Sequence, residues 1–205
     1  MLSVLPIGRK AVALTFDGGA SDAGVASILA TLRAEGVWAS FFVTGDFATR
    51  YPDRVRAMAD AGHRVGNHSA THPDFTALSS AGQVDQVRRA ERVIRPLTGR
   101  ASSPWFRFPF GASNSSALRT VNGQGYAAIG WTVDTLGWKG TSGGQSVDSV
   151  VDRVLGGART GEIVLLHVGA NPDDGTTLDA DALGRIIDRL RSRGYGFATL
   201  DAALG

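Results

Sequence analysis

Ala11-Val12-Ala13-Leu14-Thr15-Phe16-Asp17-Gly18-Gly19 is a short apolar run that ends in a carboxylate and two glycines. Six largely apolar residues closed by glycine have the length of a buried strand and are too few for a stable helix. Comparable runs recur at Ala39–Val43, Arg64–Gly66, Phe106–Phe108, Ala127–Val133, Glu162–Leu166 and Phe197–Leu200. Between them lie segments of helical period: Ala23–Glu35, Asp53–Ala61, Ala81–Leu97, Ser115–Gln124, Val147–Ala158 and Leu183–Arg193. Ser146 and Asp179 stand where helix N-caps belong, and Gly36, Gly62 and Gly194 stand where a helix is stopped. Strands alternating with helices predict parallel pairing. Asp17, His68, Arg107, Asp134 and His167 all fall at the C-terminal ends of strands, and a barrel gathers such ends around one mouth, where an open sheet would spread them. The expected fold is therefore α/β, a distorted (β/α) barrel of seven or eight strands. Residues 1–10 are read as an N-terminal extension and 11–205 as one domain.

The composition fits a chain that buries a sizeable core: 205 residues, 43% hydrophobic and 20% charged. The net charge is only +2 and the arginines are dispersed, so nucleic acid is not an expected partner. The absence of cysteine removes disulfides, thiolate metal sites and cysteine nucleophiles, and leaves the redox compartment open. No apolar run approaches membrane-spanning length, and residues 1–10 are too short for an export signal. A monomer is expected.

The polar clusters carry the chemistry. His68 and His72 are spaced to turn two imidazoles toward one ion, and Pro73 biases His72 toward a turn rather than a helix. Asp17, at a strand end beside two glycines, suits a general base; an Asx turn is the structural alternative, and Asp22 is the better candidate for a helix cap. Arg107 lies between Phe106 and Phe108, and a guanidinium in apolar surroundings requires a carboxylate partner, for which Asp17 is preferred. Asp134 and Trp138 frame a loop in which the indole could line a groove, while Trp131 reads as core. His167 closes a run that reads as buried on both faces and suits a general acid. His63 reads as a surface residue without a role.

In this order the clusters resemble the polysaccharide deacetylases of the NodB-homology type, carbohydrate esterase family 4, over Ala11 to about Leu200. The resemblance implies that Asp17 is the catalytic base, that His68 and His72 in H-S-x-x-H-P are metal ligands, and that Arg107 in R-x-P-x-G orients the base. Asp134 and Trp138 match the ends of D-x-x-x-W, and His167 in L-x-H matches the acid. Phe110, Gly111, Trp138 and Leu165 would line the groove, with Leu165 near the acetyl methyl. The implied reaction removes N-acetyl groups from N-acetylglucosamine or N-acetylmuramic acid units of chitin-like or peptidoglycan polymers. The implied cofactor is a divalent metal ion, zinc first, with cobalt, nickel or manganese as alternatives. A secreted or wall-associated protein is expected, its export signal lying outside this stretch. Two positions depart from the family pattern: Gly18 stands where T-F-D-D-G supplies a third metal ligand, with water, Asp17 or Asp22 as candidate replacements, and Gly137 stands where many members carry an aspartate that tunes the acid histidine. The alternatives are a non-hydrolytic carbohydrate-binding domain and an O-acetyl esterase acting on xylan.

Overall fold

Alternation along the first strand sets the two faces of the sheet. In the computed structural model, which describes residues 1–203, β1 spans Ala11–Gly18. Val12, Leu14 and Phe16 point outward and pack under the helices, while Ala11 and Ala13 point inward against Phe42, Trp105 and Ile163. Small alanines on the inner face leave room for those large side chains within the barrel. The outer layer packs Phe16 on Phe41, with ring centroids 5.1 Å apart, against Ile28, Leu183 and Ile187. Burying a side chain of that size contributes about 1.5–3 kcal/mol.

The remaining strands are β2 (Ser40–Val43), β3 (Arg64–Asn67), β4 (Trp105–Phe106), β5 (Ala127–Ala128), β6 (Val133–Asp134), β7 (Glu162–His167) and β8 (Gly196–Phe197). All ladders are parallel, in the order β5-β4-β3-β2-β1-β7-β6, and β8 pairs with the first two residues of β1. The helices are α1 (Val25–Ala34), α2 (Gly45–Arg50), α3 (Pro52–Asp60), α4 (Ser80–Thr98), α5 (Ser115–Gly123), α6 (Val147–Gly157) and α7 (Leu178–Ser192). The expected distorted barrel is present, as an eight-stranded parallel sheet whose ladder ends at β5 and β6.

That end explains one difference from the sequence reading. Ala127–Val133, expected as one strand, is two. The chain leaves its pairing with β4 after Ala128 and reaches its pairing with β7 at Val133. Gly130 sits at the bend: its N–H donates to the Leu2 carbonyl at 2.8 Å, and a Cβ there would lie 2.6 Å from Ser3 Oγ. Leu2 bridges to Ile129, Val4 bridges to Glu162, and Leu5 is buried in the inner core. The stretch set apart as an extension is thus stitched across the gap between β5 and β7.

Ser146 caps α6 through a reciprocal capping box with Ser149. Asp179 is not the cap of the last helix: α7 starts at Leu178 after Thr177, and Asp179 lies buried in its first turn. Asp22 does not cap α1 either. It pairs with Arg54 at 2.7 Å. His63 is buried rather than at the surface, its Nδ1 accepting the Ala39 N–H at 3.3 Å.

Candidate active site

The inward alternation of β1 continues through Thr15 and Asp17, and that of β7 through Leu165 and His167. The two strands are in register, with Thr15 opposite Leu165 and Asp17 opposite His167. Their ends open into a cavity of about 720 Å³ whose lining includes Asp17, His68, His72, Asp134, Leu165 and His167. Phe110 and Trp138 stand on its rim, 70% and 45% exposed. Large aromatic side chains left this open beside a cavity are suited to stacking against a flat ligand face.

Arg107 follows β4 and is fully buried. Its Nη1 donates to Asp17 Oδ1 at 2.8 Å, and its Nη2 donates to Thr15 Oγ1 at 2.9 Å and to the Gly130 carbonyl at 3.2 Å. Phe42 covers the guanidinium at 4.3 Å and Trp131 at 5.7 Å. Trp131 is half-buried and lines the cavity, so it is a wall of the site more than a core residue. Gly111 serves that wall, since a Cβ on it would come 2.7 Å from the Trp131 ring. Burial disfavours the Asp17 carboxylate, but Arg107, with His68 and His167 beyond it, outweighs burial and holds the acid below its usual value.

His68 directly follows β3, and its Nδ1 lies 2.9 Å from the Arg107 carbonyl. That contact requires the Nδ1–H tautomer in the neutral ring, leaving the Nε2 lone pair free, and Nε2 lies 3.5 Å from Asp17 Oδ2. Burial lowers the pKa of His68 despite Asp17, and it lowers that of His72 to about 4, with His68 adding to the effect. Both rings are therefore neutral at pH 7, the state a metal ligand requires. They meet edge to face at 4.8 Å, and Phe110 packs on the far side of His72 at 4.6 Å. Two neutral imidazoles, one fixed through its remote nitrogen, are a donor set suited to a divalent ion. A third ligand is not assembled: among the described residues no group of three or more His, Cys, Asp or Glu side chains is placed to hold a metal. Gly18 does not open toward the cavity. A Cβ there would touch Val43 and Val168, each at 3.3 Å.

His72 adopts φ 61°, in an irregular loop as its proline neighbour implies, and its N–H donates to Ser69 Oγ at 3.0 Å. Ser69, Phe110 and Leu136 are the other non-glycine residues at positive φ among those described, at 70°, 59° and 59°. All four lie in the loops that carry the sequence motifs, where strain of this kind is retained when neighbouring contacts enforce it.

His167 is 28% exposed and faces the cavity, with Trp138 at 6.3 Å. Burial opposes its protonation, yet Asp179, Asp17 and Asp134 together raise its pKa above the ordinary value. Asp134 also accepts the Leu136 N–H at 2.9 Å, holding the loop that presents Trp138. The sequence reading missed Asp46 and Arg50 of α2, which lie on the cavity wall, and Asp179, which accepts the His167 backbone N–H at 2.8 Å. No periodicity in the sequence marks these residues; α2 is only six residues long.

The polysaccharide deacetylase family model matches residues 6–129. The chain belongs to the polysaccharide deacetylase family. It is 37% identical over 195 residues to a chitooligosaccharide deacetylase of Sinorhizobium fredii, covering 92% of this chain and 89% of that protein. The Bc1960 peptidoglycan N-acetylglucosamine deacetylase superposes with a TM-score of 0.89 at 31% identity, covering 98% of this chain and 91% of that one. BA3943 of Bacillus anthracis, described as a family 4 pseudoenzyme, superposes with a TM-score of 0.87 at 29% identity, over 97% of this chain and 66% of that one. Among the described residues no helix is long and apolar enough to cross a membrane.

Proposed function

We infer that this polysaccharide deacetylase hydrolyses the N-acetyl groups of N-acetylglucosamine or N-acetylmuramic acid units in chitin-like or peptidoglycan polymers. The observation that supports this most directly is the pairing of Asp17 and His167 on adjacent strands, where, against the effect of burial, Arg107 lowers the pKa of the first and Asp179, Asp17 and Asp134 raise that of the second. Amide hydrolysis needs both groups, a base for the attacking water and an acid for a poor amine leaving group.

Asp17 Oδ1 is engaged by Arg107, so Oδ2 is the oxygen free to take a proton from water. The hydroxide adds to the acetyl carbon. His167 donates its proton to the sugar nitrogen as the C–N bond breaks, leaving acetate and a free amine; Asp17 returns its proton to solvent and His167 is reprotonated. Leu165, inward on β7 between Asp134 and Thr15, gives the acetyl methyl an apolar wall. Phe110 and Trp138 flank the two ends of the catalytic row and suit stacking on neighbouring sugar rings. His68 and His72 are the residues that would hold a divalent metal, zinc first, and the chemistry such an ion supplies is polarisation of the carbonyl and of the attacking water. We propose a secreted or wall-associated location, the one that suits action on wall polymers.

The test is acetate release from N-acetylglucosamine oligomers by metal-stripped protein titrated with Zn²⁺, Co²⁺, Ni²⁺ and Mn²⁺. Metal-dependent release is expected. Oligomer binding with no release under any metal would instead support the non-hydrolytic reading, which the glycine at position 18 and the likeness to a pseudoenzyme favour. Faster release from acetylated xylan would support the ester reading.

A further inference from the structure

Asp179 is 3% exposed in the first turn of α7, where the helix dipole favours a negative charge. Among the described residues its only ion-pair contact is with His167, Oδ2 lying 3.6 Å from His167 Nδ1 while accepting the His167 backbone N–H at 2.8 Å. His167 Nδ1 and Asp179 Oδ1 are both buried without a hydrogen-bond partner. A buried carboxylate and a buried ring nitrogen left unsatisfied side by side are costly apart, and a small rotation of the ring joins them.

Gly137 explains how the carboxylate comes to be there. A Cβ built on Gly137 would overlap Asp179 Oδ1 and lie 2.6 Å from its Cγ. The space beside His167 therefore holds a side chain from position 137 or one from position 179, and not both. We propose that Asp179 is the positioning residue for His167 in this chain, supplying from α7 the carboxylate that position 137 does not carry. This rests on the reading of His167 as the general acid. Other titratable groups near His167 are Asp17 from β1, Asp134 from β6, and His68 and His72 from the loop after β3. Asp17 is engaged by Arg107 and Asp134 by the Leu136 N–H, and among the described residues Asp179 is the one carboxylate within ion-pair distance of the His167 ring.

The test compares Asp179→Asn, Asp179→Ala and the double variant Asp179→Ala/Gly137→Asp with the wild type. The first readout is the NMR titration of the His167 imidazole, which needs no turnover. Asparagine keeps the acceptor for the His167 N–H, so the fold is retained while the charge is removed. The expected result is a fall of about one pH unit in the His167 midpoint in Asp179→Asn. The alkaline limb of the kcat profile should move to lower pH by the same amount, with KM unchanged. The double variant should move the midpoint back toward the wild-type value relative to Asp179→Ala. An unchanged midpoint in Asp179→Asn, or a double variant no closer to wild type than Asp179→Ala, overturns the proposal. If the wild type releases no acetate, the functional reading fails, and the NMR titration still decides the role of Asp179.

Discussion

Asp17 and His167 occupy the same level of adjacent strands and face the same cavity, yet they are held in opposite ways. Asp17 is locked: one oxygen is bound by a fully buried guanidinium, which is itself tied to Thr15 and Gly130. His167 is held loosely, 28% exposed, its Nδ1 still lacking a hydrogen bond and its carboxylate partner 3.6 Å away. The difference is one of environment rather than strand position. Arginine drives one group toward its charged base form, and three carboxylates drive the other toward its charged acid form.

The contrast predicts different consequences on the two sides. Arg107→Met should be the most damaging change, because it leaves Asp17 buried without its cation. Urea unfolding should show a loss of about 3–5 kcal/mol, with activity falling alongside. His167→Ala should lower kcat by about 10²- to 10⁴-fold and cost less stability than Arg107→Met, because Asp179 keeps the backbone N–H of residue 167 as a partner when the ring is removed. Equal losses of stability in the two variants would erase the contrast. The pH dependence sharpens it further. His68 and His72 have folded pKa values below the ordinary 6.5, that of His72 about 4, so their contribution to stability is present above about pH 6.5 and is lost as pH falls toward 4. Thermal unfolding followed across that window should show the decline, and His72→Gln should flatten part of it.

The opposite end of β7 offers the smallest expected effect. Burial pushes Glu162 up to about 7, so the stability it allows is complete below about pH 4.5 and declines as pH rises through 7. Glu162→Gln should raise stability at pH 8 by on the order of 1 kcal/mol and leave kcat unchanged, checked by denaturation at pH 5 and 8. A change in kcat would mean that the two ends of the strand are coupled.

The parts of this site that were legible in the sequence are those in which one strand delivers one side chain. The apolar runs Ala11–Phe16 and Ile163–Leu166 mark the strands whose ends carry Asp17 and His167, and the apolar neighbours of Arg107 imply the buried pair it forms. The parts that were not legible depend on contacts between distant elements. Asp179 follows His167 by twelve residues on a different element, and in sequence it is indistinguishable from an ordinary acidic residue at a helix start. The bend at Gly130 depends on Leu2 and Ser3 arriving from the other end of the chain. His63 is buried because Phe41 packs against it at 5.4 Å, a contact the local polarity gives no sign of.

The most direct test of the account is the pH profile of kcat/KM for acetate release from N-acetylglucosamine oligomers, measured for wild type, Asp17→Asn and His167→Ala with metal supplied. The account predicts a bell for the wild type, its acid limb from a base that titrates below the usual carboxylate range and its alkaline limb from a histidine that titrates above 6.5. It also predicts near-complete loss of activity in Asp17→Asn and loss of the alkaline limb in the residual activity of His167→Ala. Substantial turnover by Asp17→Asn, or an alkaline limb that survives His167→Ala unchanged, would contradict it.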